Sequence, residues 1–108
     1  MSKTFRLTIA QLNPVVGALS ANSDQAHAAW ETAREAGADM LALPEMFITG
    51  YQTQDLVMKP AFARDAMAAV HALAARCAEG PAVAVGAPYL EGETLYNGYY
   101  ILERGRIS

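Results

Sequence analysis

Glu45 is the residue of this chain best placed for chemistry. It follows the apolar run Met40-Leu41-Ala42-Leu43 and Pro44, and Met46 and Phe47 come directly after it. A carboxylate in such company is partly stripped of water. Its pKa rises toward the range in which a general base takes up and returns a proton. A solvated loop glutamate is the plainer reading of the same spacing, and position alone does not separate the two. Thr49-Gly50-Tyr51 follows. Glycine permits a turn that swings Tyr51 back toward Glu45, where its ring could wall a pocket and its hydroxyl offer a hydrogen bond. A tyrosine packed on the core with its hydroxyl in water fits equally well.

The other candidates are weaker. Cys77 falls on the apolar face of a helical pattern, one turn after Leu73, with no histidine or lysine at helical spacing to sustain a thiolate. Arg76 is adjacent in sequence but faces another way, so Cys77 reads as a small buried hydrophobe. His27 and His71 each sit in a helical pattern without a second ligand one turn away, and no metal site is expected. Lys59 precedes a helix and solvates its start. Asn97, between Tyr96 and Gly98 in a strand pattern, is expected to satisfy a buried backbone group. The glycines occur singly, in neither dinucleotide-binding nor phosphate-loop spacing.

These residues must be positioned by regular elements. Phe5 to Leu12 alternates, with Phe5, Leu7 and Ile9 on one face and Arg6, Thr8 and Ala10 on the other, and ends at Asn13-Pro14. Asn22 with Gln25 resembles a capping box, and Asp24 adds negative charge to a first turn. Ala26, Ala29, Trp30, Ala33 and Ala36 continue at helical spacing to Gly37, a C-terminal stop. Met40 to Leu43 is short enough for a buried strand. Residues 44 to 58 read as a loop. A second helix opens near Pro60, carries Phe62, Ala66, Ala69, Val70, Leu73 and Cys77 on one face, and stops at Gly80-Pro81. Ala82 to Gly86 is a third strand, and turns at Glu91-Gly92 and Arg104-Gly105 flank the β-rich run Leu95 to Leu102. The order β-α-β-α-β followed by an antiparallel meander predicts an α/β sheet, parallel in its first part.

Composition removes whole classes. The chain has 108 residues, 53% hydrophobic and 18% charged, with 8 basic and 11 acidic residues and a single cysteine. That suffices for one domain with a real core and excludes disorder. The charge balance gives no footprint for nucleic acid. No apolar run reaches the roughly 20 residues of a membrane helix, and the N-terminus has no secretory core. One cysteine rules out an internal disulfide and suits a reducing, cytoplasmic location.

Several segments, taken together, resemble the nitrilase, or carbon–nitrogen hydrolase, superfamily. Ala10-Gln11-Leu12-Asn13-Pro14-Val15-Val16-Gly17 is similar to its opening strand and turn, and Asn22 to the asparagine that starts its first helix. Gly37-Ala38-Asp39-Met40-Leu41-Ala42-Leu43-Pro44-Glu45 resembles its segment ending in Pro-Glu. Leu95-Tyr96-Asn97 with Gly105-Arg106-Ile107 resembles the hairpin that follows. The resemblance implies an αββα sandwich of which this chain is the N-terminal part. It also implies a glutamate, lysine and cysteine that hydrolyse a carbon–nitrogen bond. By motif Glu45 is that glutamate, the general acid/base, with Tyr51 as a pocket neighbour. The nucleophilic cysteine and the catalytic lysine are expected after Ser108, so neither Cys77 nor Lys59 inherits a role.

The stretch from Leu43 to Leu56 is more narrowly similar to glutamine-dependent NAD synthetases, and departs from them at Gln52-Thr53-Gln54. That likeness implies glutamine as substrate of a glutaminase domain begun here. ATP, Mg²⁺ and nicotinate adenine dinucleotide would be taken by a synthetase domain outside the chain. No cofactor is expected in residues 1–108, a homo-oligomer is, and the isolated piece is expected to be inactive. Two other readings remain at this point: a stand-alone amidase or carbamoylase of the same superfamily, and a non-enzymatic flavodoxin-like binding module.

Overall fold

The computed structural model describes residues 4–12, 14, 18–44, 47, 48, 60–92 and 94–107, with the side chains of 60, 90, 94, 95 and 97 outside that description. Among the described residues, seven elements follow one another. They are β1 (Leu7–Ile9), α1 (Leu19–Glu35), β2 (Met40–Ala42), α2 (Pro60–Arg76), β3 (Ala82–Glu91), β4 (Thr94–Glu103) and β5 (Arg106–Ile107). They form a five-stranded sheet in the order β1-β2-β3-β4-β5. The first three strands run parallel and the last two antiparallel, the arrangement expected from the pattern.

Gly37 ends α1 as foreseen. At φ 74° it takes the left-handed conformation, donating to the Arg34 carbonyl while the Ala38 N–H reaches back to Ala33. That pair of bonds closes the last turn, and a residue without Cβ adopts it at least cost. The start of α1 differs from expectation. The helix begins at Leu19 behind Ala18, which makes no side-chain capping bond. Asn22 therefore lies inside the helix, its N–H bonded to the Ala18 carbonyl, and its side chain is spent elsewhere.

Both helices cover one face of the sheet. Ala26, Trp30 and Ala33 of α1 and Val70, Leu73 and Cys77 from α2 and its end pack with Leu41, Leu43, Val83, Val85 and Leu102 in one core. The β registers place these strand residues on a common face, Leu41 beside Val83 and Val83 opposite Leu102. Trp30 fixes where the helix layer meets the sheet, its indole N–H donating to the buried Pro81 carbonyl at 2.9 Å. A Cβ on Gly80 would stand 2.6 Å from the Trp30 ring and 3.0 Å from Arg34 Cδ. Gly80→Ala is therefore expected to destabilise the fold by about 1–3 kcal/mol, the usual cost of overpacking. Urea unfolding of the variant beside its parent checks this, and an unchanged midpoint contradicts it.

The opposite face is apolar and open. The large side chains that alternation puts on one face of β1 lie there, Phe5 65%, Leu7 49% and Ile9 69% exposed, and Thr8 and Ala10 are the half-buried pair turned toward the helices. Leu7 shares its face with Met40, and Ile9 with Ala42 and Ala84. Tyr99 stands there too, paired with Gly86. Pairing of β1 itself spans fewer residues than the alternation suggested, although Ala10 still donates to the Ala42 carbonyl beyond it. In β3 the ladder runs longer than expected, through Pro88, whose missing N–H falls opposite Asn97.

Candidate active site

Three parallel strands end side by side, and the carboxyl ends of such strands are where open α/β sheets receive ligands. The chain leaving β2 is bonded to β3 at successive points. Leu43 N–H donates to the Ala84 carbonyl at 2.8 Å, and Gly86 N–H donates to the Pro44 carbonyl at 3.3 Å. Ile48 N–H then comes back to the carbonyl of the same Gly86 at 3.2 Å. Phe47 and Ile48 are both fully buried in the core. Residues 44 and 47–48 are thus tied to one point of the sheet, and Glu45 lies between them in sequence. Glu45, Tyr51 and Lys59 themselves lie outside the described residues, as does the side chain of Asn97.

Two residues contact this segment from the layers on either side. From the helix layer, Asn22 is fully buried and its Nδ2 donates to the Ile48 carbonyl at 2.9 Å. From the open face, the Tyr99 hydroxyl donates to the Leu43 carbonyl at 2.8 Å. β3 lies between Tyr99 and β2, and directly across from Tyr99 it presents Gly86, with no side chain to lift the ring. Ile9, Ala10, Gln11, Leu43, Pro44 and Tyr99 line a shallow depression of about 310 Å³. It is mostly apolar, opens on the sheet face, and touches the residue immediately before Glu45.

Sequence reasoning read Asn22 as a helix cap and passed over Tyr99. The signal for Tyr99 was present, since Tyr99 and Tyr100 are adjacent in a strand and must point to opposite faces. Tyr100 takes the helix side, its hydroxyl donating to the Pro88 carbonyl. The signal for Asn22 was weaker. An asparagine among the apolar positions of a helix is paid for only by a buried partner, and nothing local says which.

Cys77 is buried, as expected, and burial pushes its thiol up to about 11, against a smaller lowering by Arg76. It therefore stays protonated and shielded near neutrality. Alkylation of the native chain with iodoacetamide at pH 7.5 is expected to spare Cys77, and alkylation in denaturant to modify it; rapid native labelling would contradict this. The same shift has a stability sign. Above pH 9, the ordinary value, the unfolded chain loses this proton before the folded one does. Stability is then lost as pH rises toward 11, by at most about 1.4 kcal/mol per pH unit, and Cys77→Ala removes that component.

His27 stacks on Trp30 at 5.6 Å and faces Glu31 at 3.4 Å, while His71 is exposed. Among the described residues no group of three His, Cys, Asp or Glu stands close enough to hold a metal ion, and no helix is long and apolar enough to cross a membrane.

The mixed sheet thus carries its helices on one face, leaves the other apolar and open, and holds a segment behind β2 by bonds from β3. The chain belongs to the carbon–nitrogen hydrolase family, which it matches over residues 6–107. Among curated relatives it is 60% identical over 107 residues to the glutamine-dependent NAD(+) synthetase of Rhodobacter capsulatus, covering 99% of this chain and 19% of that protein. It is 34% identical over 109 residues to that of Xylella fastidiosa, covering 100% of this chain and 20% of the relative. The chain thus spans about one fifth of the length of these proteins. Among solved structures, a glutamine-dependent NAD(+) synthetase from Cytophaga hutchinsonii superposes with TM-score 0.90 at 30% identity, over 97% of this chain and 18% of that one. An amidase from Nesterenkonia sp. superposes with TM-score 0.81 at 21% identity, over 96% and 40%, and shares the fold.

Proposed function

We propose that this chain is the N-terminal part of a glutaminase domain in a glutamine-dependent NAD synthetase. The observation that carries the reading is 60% identity to such a synthetase over 99% of the chain. The segment anchored behind β2 supports it, because general acid/base catalysis needs its carboxylate held in place. In this reading Glu45 takes the proton from a cysteine thiol as sulfur attacks the carboxamide carbon of glutamine. It returns the proton to the departing ammonia, leaving a thioester. Glu45 then draws a proton from the water that hydrolyses the thioester to glutamate. A lysine stabilises the tetrahedral intermediates, and both it and the cysteine lie outside this chain. Tyr51 walls the substrate pocket.

The ammonia is consumed by a synthetase part, also outside the chain, which takes nicotinate adenine dinucleotide, ATP and Mg²⁺. The whole protein is read as a cytoplasmic homo-oligomer. A stand-alone amidase would share the fold without the synthetase part. The flavodoxin-like alternative fares worse, since β4 and β5 form a meander where such a module continues with a helix.

The test supplies the full-length protein with nicotinate adenine dinucleotide, ATP, Mg²⁺ and glutamine carrying heavy nitrogen in its amide. NAD bearing the label is the expected product. Glutamine hydrolysis without any NAD would point to the stand-alone amidase instead.

A further inference from the structure

We infer that Asn22 is a positioning residue for Glu45, acting through its hydrogen bond to the Ile48 carbonyl. The inference rests on the reading of Glu45 as the acid/base, and deepens it. The anchors from the sheet side all converge on β3 and β4. Gly86 holds Pro44 and Ile48, and Tyr99 holds Leu43. These bonds hold the segment from the sheet side, and none of those named reaches the Ile48 carbonyl. Asn22 comes from the other layer and grips the same Ile48 by its carbonyl rather than its N–H. The peptide groups on both sides of the Ile48 Cα are then held from the two layers, three residues after Glu45 in sequence.

The position is costly unless it does such work. An amide fully buried in a helix face gives up its hydration, and an alanine or leucine there would pack without that loss. Asn22 instead reaches across 26 residues of sequence to a backbone carbonyl. That bond secures one specific geometry, and a catalytic carboxylate is sensitive to geometry at the level of an ångström, where displacement costs about 10²-fold in rate.

The experiment is a double-mutant cycle in the full-length protein, read as glutamine hydrolysis. Asn22→Ala deletes the donor, and Asn22→Asp keeps the shape while replacing the donor with an acceptor, so one serves if the other does not fold. The expected result is a kcat lower by roughly 10- to 100-fold with KM little changed. A glutamine-analogue alkylating label should still modify the nucleophilic cysteine to the parent's stoichiometry. Adding Asn22→Ala to Glu45→Gln should then cost nothing beyond Glu45→Gln alone, because the residue acts through Glu45. A fully labelled Asn22 variant with the parent's kcat overturns the inference. So does an additive double mutant, or a kcat loss matched by lost labelling, which marks a merely structural role. If Glu45→Gln itself retains the parent's rate, the acid/base reading fails instead, and the two failures are told apart.

Discussion

Glu45→Gln in the full-length protein is expected to abolish glutamine-dependent NAD formation while ammonia-dependent formation continues. The substitution keeps the size of the side chain and its hydrogen-bonding reach but removes the carboxylate to which the proposed proton transfers are assigned. General acid/base catalysis contributes about 10²–10⁴-fold, so the residual glutamine-dependent rate should lie at or below one hundredth of the parent's. In the proposed reading free ammonia bypasses the step that needs the carboxylate, because it enters where the glutaminase product would. Parallel assays with glutamine and with an ammonium salt read the two activities on one preparation. Loss of both would mean that Glu45 supports the whole protein rather than the amide cleavage, and the role assigned to it would have to be given up.

The second large effect concerns the open sheet face. Phe5, Leu7, Ile9 and Tyr99 expose hydrophobic surface side by side, around the small side chains of Ala42 and Ala84. Scattered exposed apolar residues are ordinary, but a contiguous patch on a flat sheet drives association. Expressed by itself, the 108-residue chain is expected to elute as oligomers or aggregates and to bind a hydrophobic dye. Leu7→Lys combined with Ile9→Lys should shift it toward monomer, since each charge would be buried at great cost in any face-to-face contact. Light scattering of the two preparations at matched concentration checks this. A monomeric parent that binds no dye would show that the face is satisfied within the chain.

Much of this arrangement could be read from residue order. Alternation, helical spacing and the stops at Gly37, Gly80-Pro81, Gly92 and Arg104-Gly105 are local signals, and local signals settled the elements and the parallel-to-antiparallel order. Arg104 and Gly105 both take positive φ, as a tight turn at that dipeptide demands. The faces of β1 were harder. Alternation says which side chains share a face but not which face the helices cover, and here the helices took the side bearing Thr8 and Ala10. The candidate site divided in the same way. Glu45 was suggested by its apolar neighbours and by family likeness, both matters of nearby sequence. Asn22 and Tyr99 reach the segment across 26 and 56 residues of chain, and pairings at that range have no signature in spacing.

Gly86 has a further consequence, for the order in which the molecule assembles. The residues that hold the segment after β2 lie far downstream of it, in β3 and β4. A chain emerging from the ribosome presents Glu45 early, together with Asn22, but Gly86 and Tyr99 only later. Contacts of such long separation form slowly, because the intervening chain must first be gathered in. The segment that follows β2 is thus synthesised before the strands that hold it. A nascent chain arrested before β3 would hold Asn22 and the segment after β2 without the glycine and the tyrosine that bond that segment from the sheet.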